Sequence, residues 1–200
     1  MAKRLSKDRI DQWYDNDIDL TNRLIWMGSK SNDGDESGTD CSMAERIVKG
    51  LLTLHSMSSE PITIFMNNLG GDIYHAFAIY DAIKLCNKKA PVTIKVFGQA
   101  MSSGALILQA AKTRLMSPES TLMLHYGEVS FSGHALDAEK NVDESKRLRA
   151  RMLNIWLTQV KKKDTDYSRQ RLHNGIKFDR YFPADEAVSL GLVDGILTSL

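Results

Sequence analysis

Two adjacent serines, Ser102 and Ser103, lie between a glycine-flanked turn and an apolar run in the stretch GQAMSSGALILQAA, Gly98 to Ala111. A serine hydroxyl becomes a useful nucleophile only where a positioned base removes its proton. The turn from a strand into a helix suits that chemistry, because unpaired N–H groups at the helix start can hold a developing oxyanion. The residues approach the nucleophile-elbow pattern G-x-S-x-G, in which small neighbours permit a sharp turn. Serines are equally good helix N-caps. The stretch alone therefore leaves two choices open: cap or nucleophile, and Ser102 or Ser103. Five histidines are available as a base. His125 closes an apolar strand, TLMLH, which places it at the sheet edge near the strand-end turns, where a structural role is the alternative. Gly70 and Gly71 can present backbone N–H groups to a reacting carbonyl, or form a simple strand-to-helix turn. Aspartates are too numerous for composition to select a third member.

The elements that must position these residues alternate in type. IDLTNRLIWMG (Ile18 to Gly28) reads as a short strand with a turn, and the Ser-, Gly- and Asp-rich residues 29–42 as a loop. MAERIVKGLLTLHSM carries Ile47, Leu51, Leu52 and Leu54 at helical spacing. PITIFMNNLGG is a β-branched run ending in the double glycine. DIYHAFAIYDAIKLC is helical, VTIKVFG a strand, ALILQAAK a helix and STLMLH a strand. A long helical pattern from about 134 to 163 follows, spaced by Leu136, Val142, Leu148, Met152, Ile155, Trp156 and Val160. Such a helix would reach about 40 Å, so it projects or packs between subunits. Residues 178–197 form a compact tail, and residues 1–16 are a mixed-charge segment with a mobile end. Strands alternating with helices predict an α/β fold with a mostly parallel sheet.

Composition excludes several function classes. The 200 residues suit one domain, with 42% hydrophobic and 26% charged residues. Twenty-six basic and 25 acidic side chains balance to a net charge of +1, giving no electrostatic demand for nucleic acid or an anionic membrane. Two cysteines, Cys41 and Cys86, have no metal-ligand spacing and fit a reducing compartment. No segment approaches the roughly 20 apolar residues that span a bilayer, and the charged N-terminus lacks a signal-peptide core. The expectation is a cytoplasmic protein with no metal and no cofactor.

Taken in order, NNLGGDIYHAFAIYDAI, GQAMSSGALIL, LMLH and FDRYFPADEAVSLGLVDGIL resemble the ClpP family, the proteolytic subunits of Clp serine peptidases. The resemblance covers about residues 18–197 and includes Ile79-Tyr80-Asp81 and Gly98-Gln99-Ala100. It implies a catalytic set of Ser102, His125 and Asp179, with the backbone N–H groups of Gly71 and Ser103 as the oxyanion hole. Ser103 then contributes its amide, and its hydroxyl is not required. The implied fold is a crotonase-like α/β subunit, one protease domain over 1–200, with an N-terminal segment at 1–17 and a handle region at about 126–163. The implied assembly is a homo-oligomer of seven-membered rings, two of them stacked, which encloses a chamber for peptide or unfolded-protein substrates. A separate AAA+ unfoldase would feed it, since no ATP-binding G-x-x-x-x-G-K-[ST] loop is present.

The sequence departs from the family pattern at several places. Asn68-Leu69 replace serine–proline before the double glycine, and Ala76 replaces a glycine. Tyr126-Gly127 replace glutamine–proline after the histidine, in the segment that lines the substrate groove and meets the opposite ring. Lys177-Phe178 replace the charged pair before the aspartate. Thr63 stands at an expected aromatic position of the unfoldase-docking strand, although Phe65 is kept. No axial-loop sequence is recognisable in 1–17, and 29–42 reads as an insertion. These changes point to a divergent member, such as a phage or accessory copy. The competing readings are a catalytically silent structural or regulatory ring subunit and a crotonase-type acyl-CoA enzyme on the same fold.

Overall fold

A computed structural model describes residues 6–29, 36–127 and 134–199. The mixed-charge amino-terminal segment forms helix α1 (Lys7–Asn16), and the expected mobile end falls on residues 1–5, outside the described residues; Ser6 caps the helix by accepting from the Arg9 N–H. Strands β1 (Ile18–Asp19) and β2 (Leu24–Gly28) come next, then helix α2 (Cys41–Met57), β3 (Ile62–Asn68), α3 (Ile73–Cys86) and β4 (Val92–Met101). After these come α4 (Ser103–Leu108), β5 (Thr113–Met116), β6 (Thr121–Leu124) and α5 (Ala135–Val160). The tail divides into α6 (Arg169–Gly175), β7 (Arg180–Pro183), α7 (Ala184–Ser189) and β8 (Gly195–Ile196). Parts of the 1–17 segment, the 29–42 loop and the 126–163 region lie outside the described residues.

The strands form one sheet in the order β1-β2-β3-β4-β5-β8, with β6 between β4 and β7 on a side branch. All pairings are parallel except β1 with β2 and β6 with β7. The α/β reading therefore holds. Its physical basis is visible in β3 and β4, where alternate residues Ile62, Ile64 and Met66, and Val92, Ile94 and Val96, are fully buried. They pack under Ile47, Leu51 and Leu54 of α2 and Ile79 and Ile83 of α3, also fully buried. Each such side chain contributes about 1.5–3 kcal/mol. The opposite face is only half covered. There Trp13 of α1 packs edge-on against Phe65, with ring centres 6.4 Å apart.

The sheet forks at β4. Residues 93–96 pair with β5, whereas 99–101 pair with β6. Between them the chain bends at Gly98, whose φ is +79°, and a register irregularity separates the Met66 and Asn68 pairings of β3. The fork sends the end of β4 toward β6 instead of along the main sheet.

Strand β5 escapes the sequence reading because one of its inward residues is charged. Arg114 is 5% exposed. Its guanidinium donates to Asp194 at 2.5 and 3.1 Å, to Gln109 Oε1 at 2.7 Å and to the carbonyls of Gly191 and Leu192. The Asp194 side chain also accepts from the Arg114 backbone N–H at 2.8 Å. One arginine thus ties β5 to the tail that carries β8.

Burial pushes the Asp194 carboxyl up, but the bonds from Arg114 outweigh it and leave the group below its ordinary value. Its contribution is therefore complete above the usual carboxylate range and is lost as pH falls through the lower folded value. Asp194→Asn should cost about 2 kcal/mol at pH 7, less than a fully buried pair because Asp194 is over a third exposed. Thermal unfolding should show a Tm lower by about 4–8 °C. The gap between variant and parent should shrink as pH falls through and below the ordinary carboxylate range; an equal gap at pH 7 and at low pH would show that the charge is not what matters.

Candidate active site

The fork of the sheet brings the serine and the histidine together. Met101, the last residue of β4, pairs with Met123 of β6, and the Ser102 N–H donates to the Met123 carbonyl at 2.9 Å. Ser102 stands between β4 and α4 with φ 51° and ψ −118°. This backbone is sparsely populated for a residue with a Cβ and stores about 1–3 kcal/mol. Although Ser102 occupies the N-cap position of α4, its side chain makes no capping bond. Its Oγ lies 2.7 Å from His125 Nε2 instead.

The antiparallel pairing of β6 with β7 supplies the third group. Leu124 pairs with Arg180, so one step further His125 faces Asp179. His125 Nδ1 lies 3.0 Å from Asp179 Oδ1. With Nδ1 as the donor, Nε2 is left as an acceptor for the serine hydroxyl. Asp179 Oδ2 accepts from the Tyr181 hydroxyl at 3.3 Å. Three residues separated by 23 and 54 positions thus form one line of hydrogen bonds. The aspartate end is the more open one: its side chain is 51% exposed, against 21% for His125.

Gly70 and Gly71 approach this line from β3. Gly70 has φ +99°, and a Cβ built there would stand 2.7 Å from Ser102 Cβ and 2.9 Å from the Met101 carbonyl oxygen. Only glycine fits. Neither the Gly71 N–H nor the Ser103 N–H has an acceptor among the described residues. Both residues line a cleft of about 460 Å³ together with Ser102 and His125. Its remaining wall is mostly apolar, with Leu69, Ile73, Met123, Leu148 and Met152, and also carries the charged side chains of Asp72 and Arg149. The Ser103 hydroxyl is buried and has no partner among the described residues.

Some contacts around the site escaped the sequence reading. Tyr181 of β7 lies two residues after Asp179, a spacing too common to signal a role. Tyr126, where the family pattern has glutamine, is gripped between Arg149, 4.7 Å from its ring centre, and the edge-on ring of His173 at 4.9 Å. Arg149 also donates to the Gly127 carbonyl at 3.3 Å. The end of the 29–42 loop is not a free insertion: Thr39 is buried and forms a parallel bridge with Gly71.

Comparison with known proteins gives the family. The Clp protease family profile matches residues 21–200. The chain belongs to the Clp protease family. It is 32% identical over 181 residues to the ATP-dependent Clp protease proteolytic subunit of Deinococcus radiodurans, covering 89% of this chain and 81% of that protein. It is also 32% identical over 168 residues to proteolytic subunit 1 of Chlamydia abortus, covering 82% and 84%. Subunit 6 of the Arabidopsis thaliana chloroplast is 30% identical over 179 residues, 88% of this chain and 60% of its own length. The family resemblance read from the motifs is therefore sound, and the mixed α/β architecture with its mostly parallel sheet is consistent with the ClpP fold. Membership supports a Clp-type peptidase. Among the described residues no helix is long and apolar enough to cross a membrane, and no three His, Cys, Asp or Glu side chains are grouped to hold a metal ion.

The close approach at Gly70 gives a direct test. Gly70→Ala should cut peptide hydrolysis by at least about 100-fold, since a shift of an ångström at a reacting group has that effect. Circular dichroism should stay near the parent spectrum. Hydrolysis within threefold of the parent would show that the turn has room to move.

Proposed function

We propose that this chain is a serine endopeptidase of the Clp type, with Ser102 as nucleophile, His125 as general base and acid, and Asp179 as the group that orients the imidazole. The observation that carries the reading is the continuous line from Ser102 Oγ to His125 Nε2 at 2.7 Å and from His125 Nδ1 to Asp179 Oδ1 at 3.0 Å. Ser102 Oγ attacks the scissile carbonyl while Nε2 takes its proton. The tetrahedral oxyanion accepts from the N–H groups of Gly71 and Ser103. Nε2 then returns the proton to the leaving amine, and an acyl-enzyme remains on Ser102. Water, deprotonated by the same imidazole, releases the acid product and restores the serine. Asp179 keeps the proton on Nδ1 and stabilises the imidazolium in both halves.

The apolar cleft beside Ser102 favours an apolar side chain next to the scissile bond. Family membership extends the reading to assembly: subunits close into seven-membered rings, two of which stack around a proteolytic chamber fed by a separate AAA+ unfoldase. The amino-terminal half of α5 supports a handle role. Its Leu136 and Val142 are exposed, whereas Leu148, Met152, Leu153, Trp156 and Val160 further along are buried. Two free cysteines, Cys41 and Cys86, fit a reducing cytoplasm.

A fluorophosphonate probe should label the parent protein at Ser102 and leave Ser102→Ala unmodified. Labelling that persists in the variant assigns the nucleophile elsewhere and overturns the reading; labelling that never occurs in the assembled parent overturns it in favour of a silent ring subunit. Asp179→Asn should lower peptide turnover by about 10⁴-fold through the wrong imidazole tautomer; turnover near the parent's would remove Asp179 from the set. Native mass measurement counts the rings, and a multiple of seven is expected.

A further inference from the structure

Thr39 and Asn68 stand outside the line of Ser102, His125 and Asp179, yet they hold the turn that faces it. They are 1% and 0% exposed. A buried asparagine at the end of an apolar strand is costly unless its polar atoms are met. Here Asn68 Oδ1 accepts from the Gly70 N–H at 2.7 Å and from Thr39 Oγ1 at 3.1 Å. Its Nδ2 donates to Thr39 Oγ1 at 3.0 Å and faces Met43 Sδ at 3.2 Å. The threonine backbone completes the clamp. Its N–H donates to the Gly70 carbonyl at 2.6 Å, and its carbonyl accepts from the Asp72 N–H at 2.8 Å.

The consequence follows from the planarity of the peptide bond. The Gly70 carbonyl and the Gly71 N–H belong to one trans peptide, so they point in opposite directions. A carbonyl fixed on Thr39 turns the Gly71 N–H away from Thr39, on the side where Gly71 lines the cleft with Ser102. Asn68 fixes the preceding peptide through the Gly70 N–H, so both planes of the turn are held.

We infer that Thr39 and Asn68 are positioning residues that aim the Gly71 N–H at the oxyanion, and that the polar Asn68 side chain supplies the rigidity a proline would otherwise give this turn. The inference rests on the proposed serine-peptidase reading. It also gives the end of the 29–42 loop a mechanical part in the reaction, since Thr39 reaches β3 across 29 residues of sequence.

The test compares Asn68→Ala, Asn68→Ser, Thr39→Val and Thr39→Ser on a short fluorogenic peptide with an apolar residue before the scissile bond. Folded protein is quantified by circular dichroism and native mass. Asn68→Ala should lose about 100-fold in kcat with KM within threefold. A peptide aldehyde, whose adduct with Ser102 carries the oxyanion, should bind weaker by the same factor as kcat/KM falls. The pH midpoint of kcat/KM should not move, because the imidazole and its aspartate are untouched. Asn68→Ser should recover part of the loss, and Thr39→Ser should exceed Thr39→Val. If Asn68→Ala does not fold, the threonine pair carries the comparison. Turnover of Asn68→Ala within threefold of the parent, a loss confined to KM, or unchanged aldehyde affinity overturns the inference. Retained hydrolysis in Ser102→Ala would instead overturn the serine-peptidase reading itself.

Discussion

The candidate site depends on one close approach of two backbones. At Gly70 the chain leaving β3 passes so near the chain leaving β4 that a methyl group would collide with Ser102 Cβ and the Met101 carbonyl. That contact leaves Ser102 little choice of backbone, and its positive φ is the visible result. A residue held off its preferred backbone persists only when its surroundings over-determine it. Here they do, with the Met123 carbonyl on one side, α4 on the other and the glycine turn in front. The hydroxyl consequently points at His125 and is unavailable to cap the helix that Ser102 begins.

The fork of the sheet at β4 serves the same placement of Ser102. A strand that continued in register with β5 would carry Ser102 away from β6. The bend at Gly98 and the change of partner from β5 to β6 turn the last residues of β4 toward the histidine strand. The antiparallel β7 then brings Asp179 in from the far end of the chain. The buried Arg114 network anchors the tail that delivers β7 and β8. Site geometry and sheet topology are one problem, solved at β4.

How much of this was legible in the sequence depended on the range of the interaction. Apolar periodicity located α2, α3, β3, β4 and most of α5, because each is set by its own side chains. The serine and histidine were visible from local pattern, but the choice between Ser102 and Ser103 was not, and Asp179 was reachable only through a family motif. Strand β5 was hidden because a buried arginine breaks its apolar alternation, and the aspartate that makes Arg114 acceptable lies 80 residues away. Asn68 reads in sequence only as a replacement for serine before the double glycine. Its actual partner is Thr39, 29 residues earlier in a segment whose composition says only loop. Residue type reports local preference, and these pairings are tertiary.

The two ends of the hydrogen-bonded line are built differently, and the difference has a physical meaning. The serine end is wedged among buried groups: Ser103 is 2% exposed and Asn68 fully buried. The aspartate end sits just ahead of β7, a strand paired only with β6 among the described residues, beside Phe178 at 86% and Tyr181 at 54% exposure. A hydrogen bond between His125 and a half-exposed carboxylate competes with water and is weakened by the higher local dielectric. Covering that edge would exclude water and strengthen the hold on the imidazole without moving the serine. On the proposed reading, the nucleophile and its oxyanion donors are preorganised within the subunit, and the orienting carboxylate is the member most responsive to what packs beside it. Lys177-Phe178, which stand where the family pattern has a charged pair, lie at that edge. On that reading, a neighbouring subunit would meet an aromatic side chain and a single cation at this edge, where the family pattern offers a charged pair.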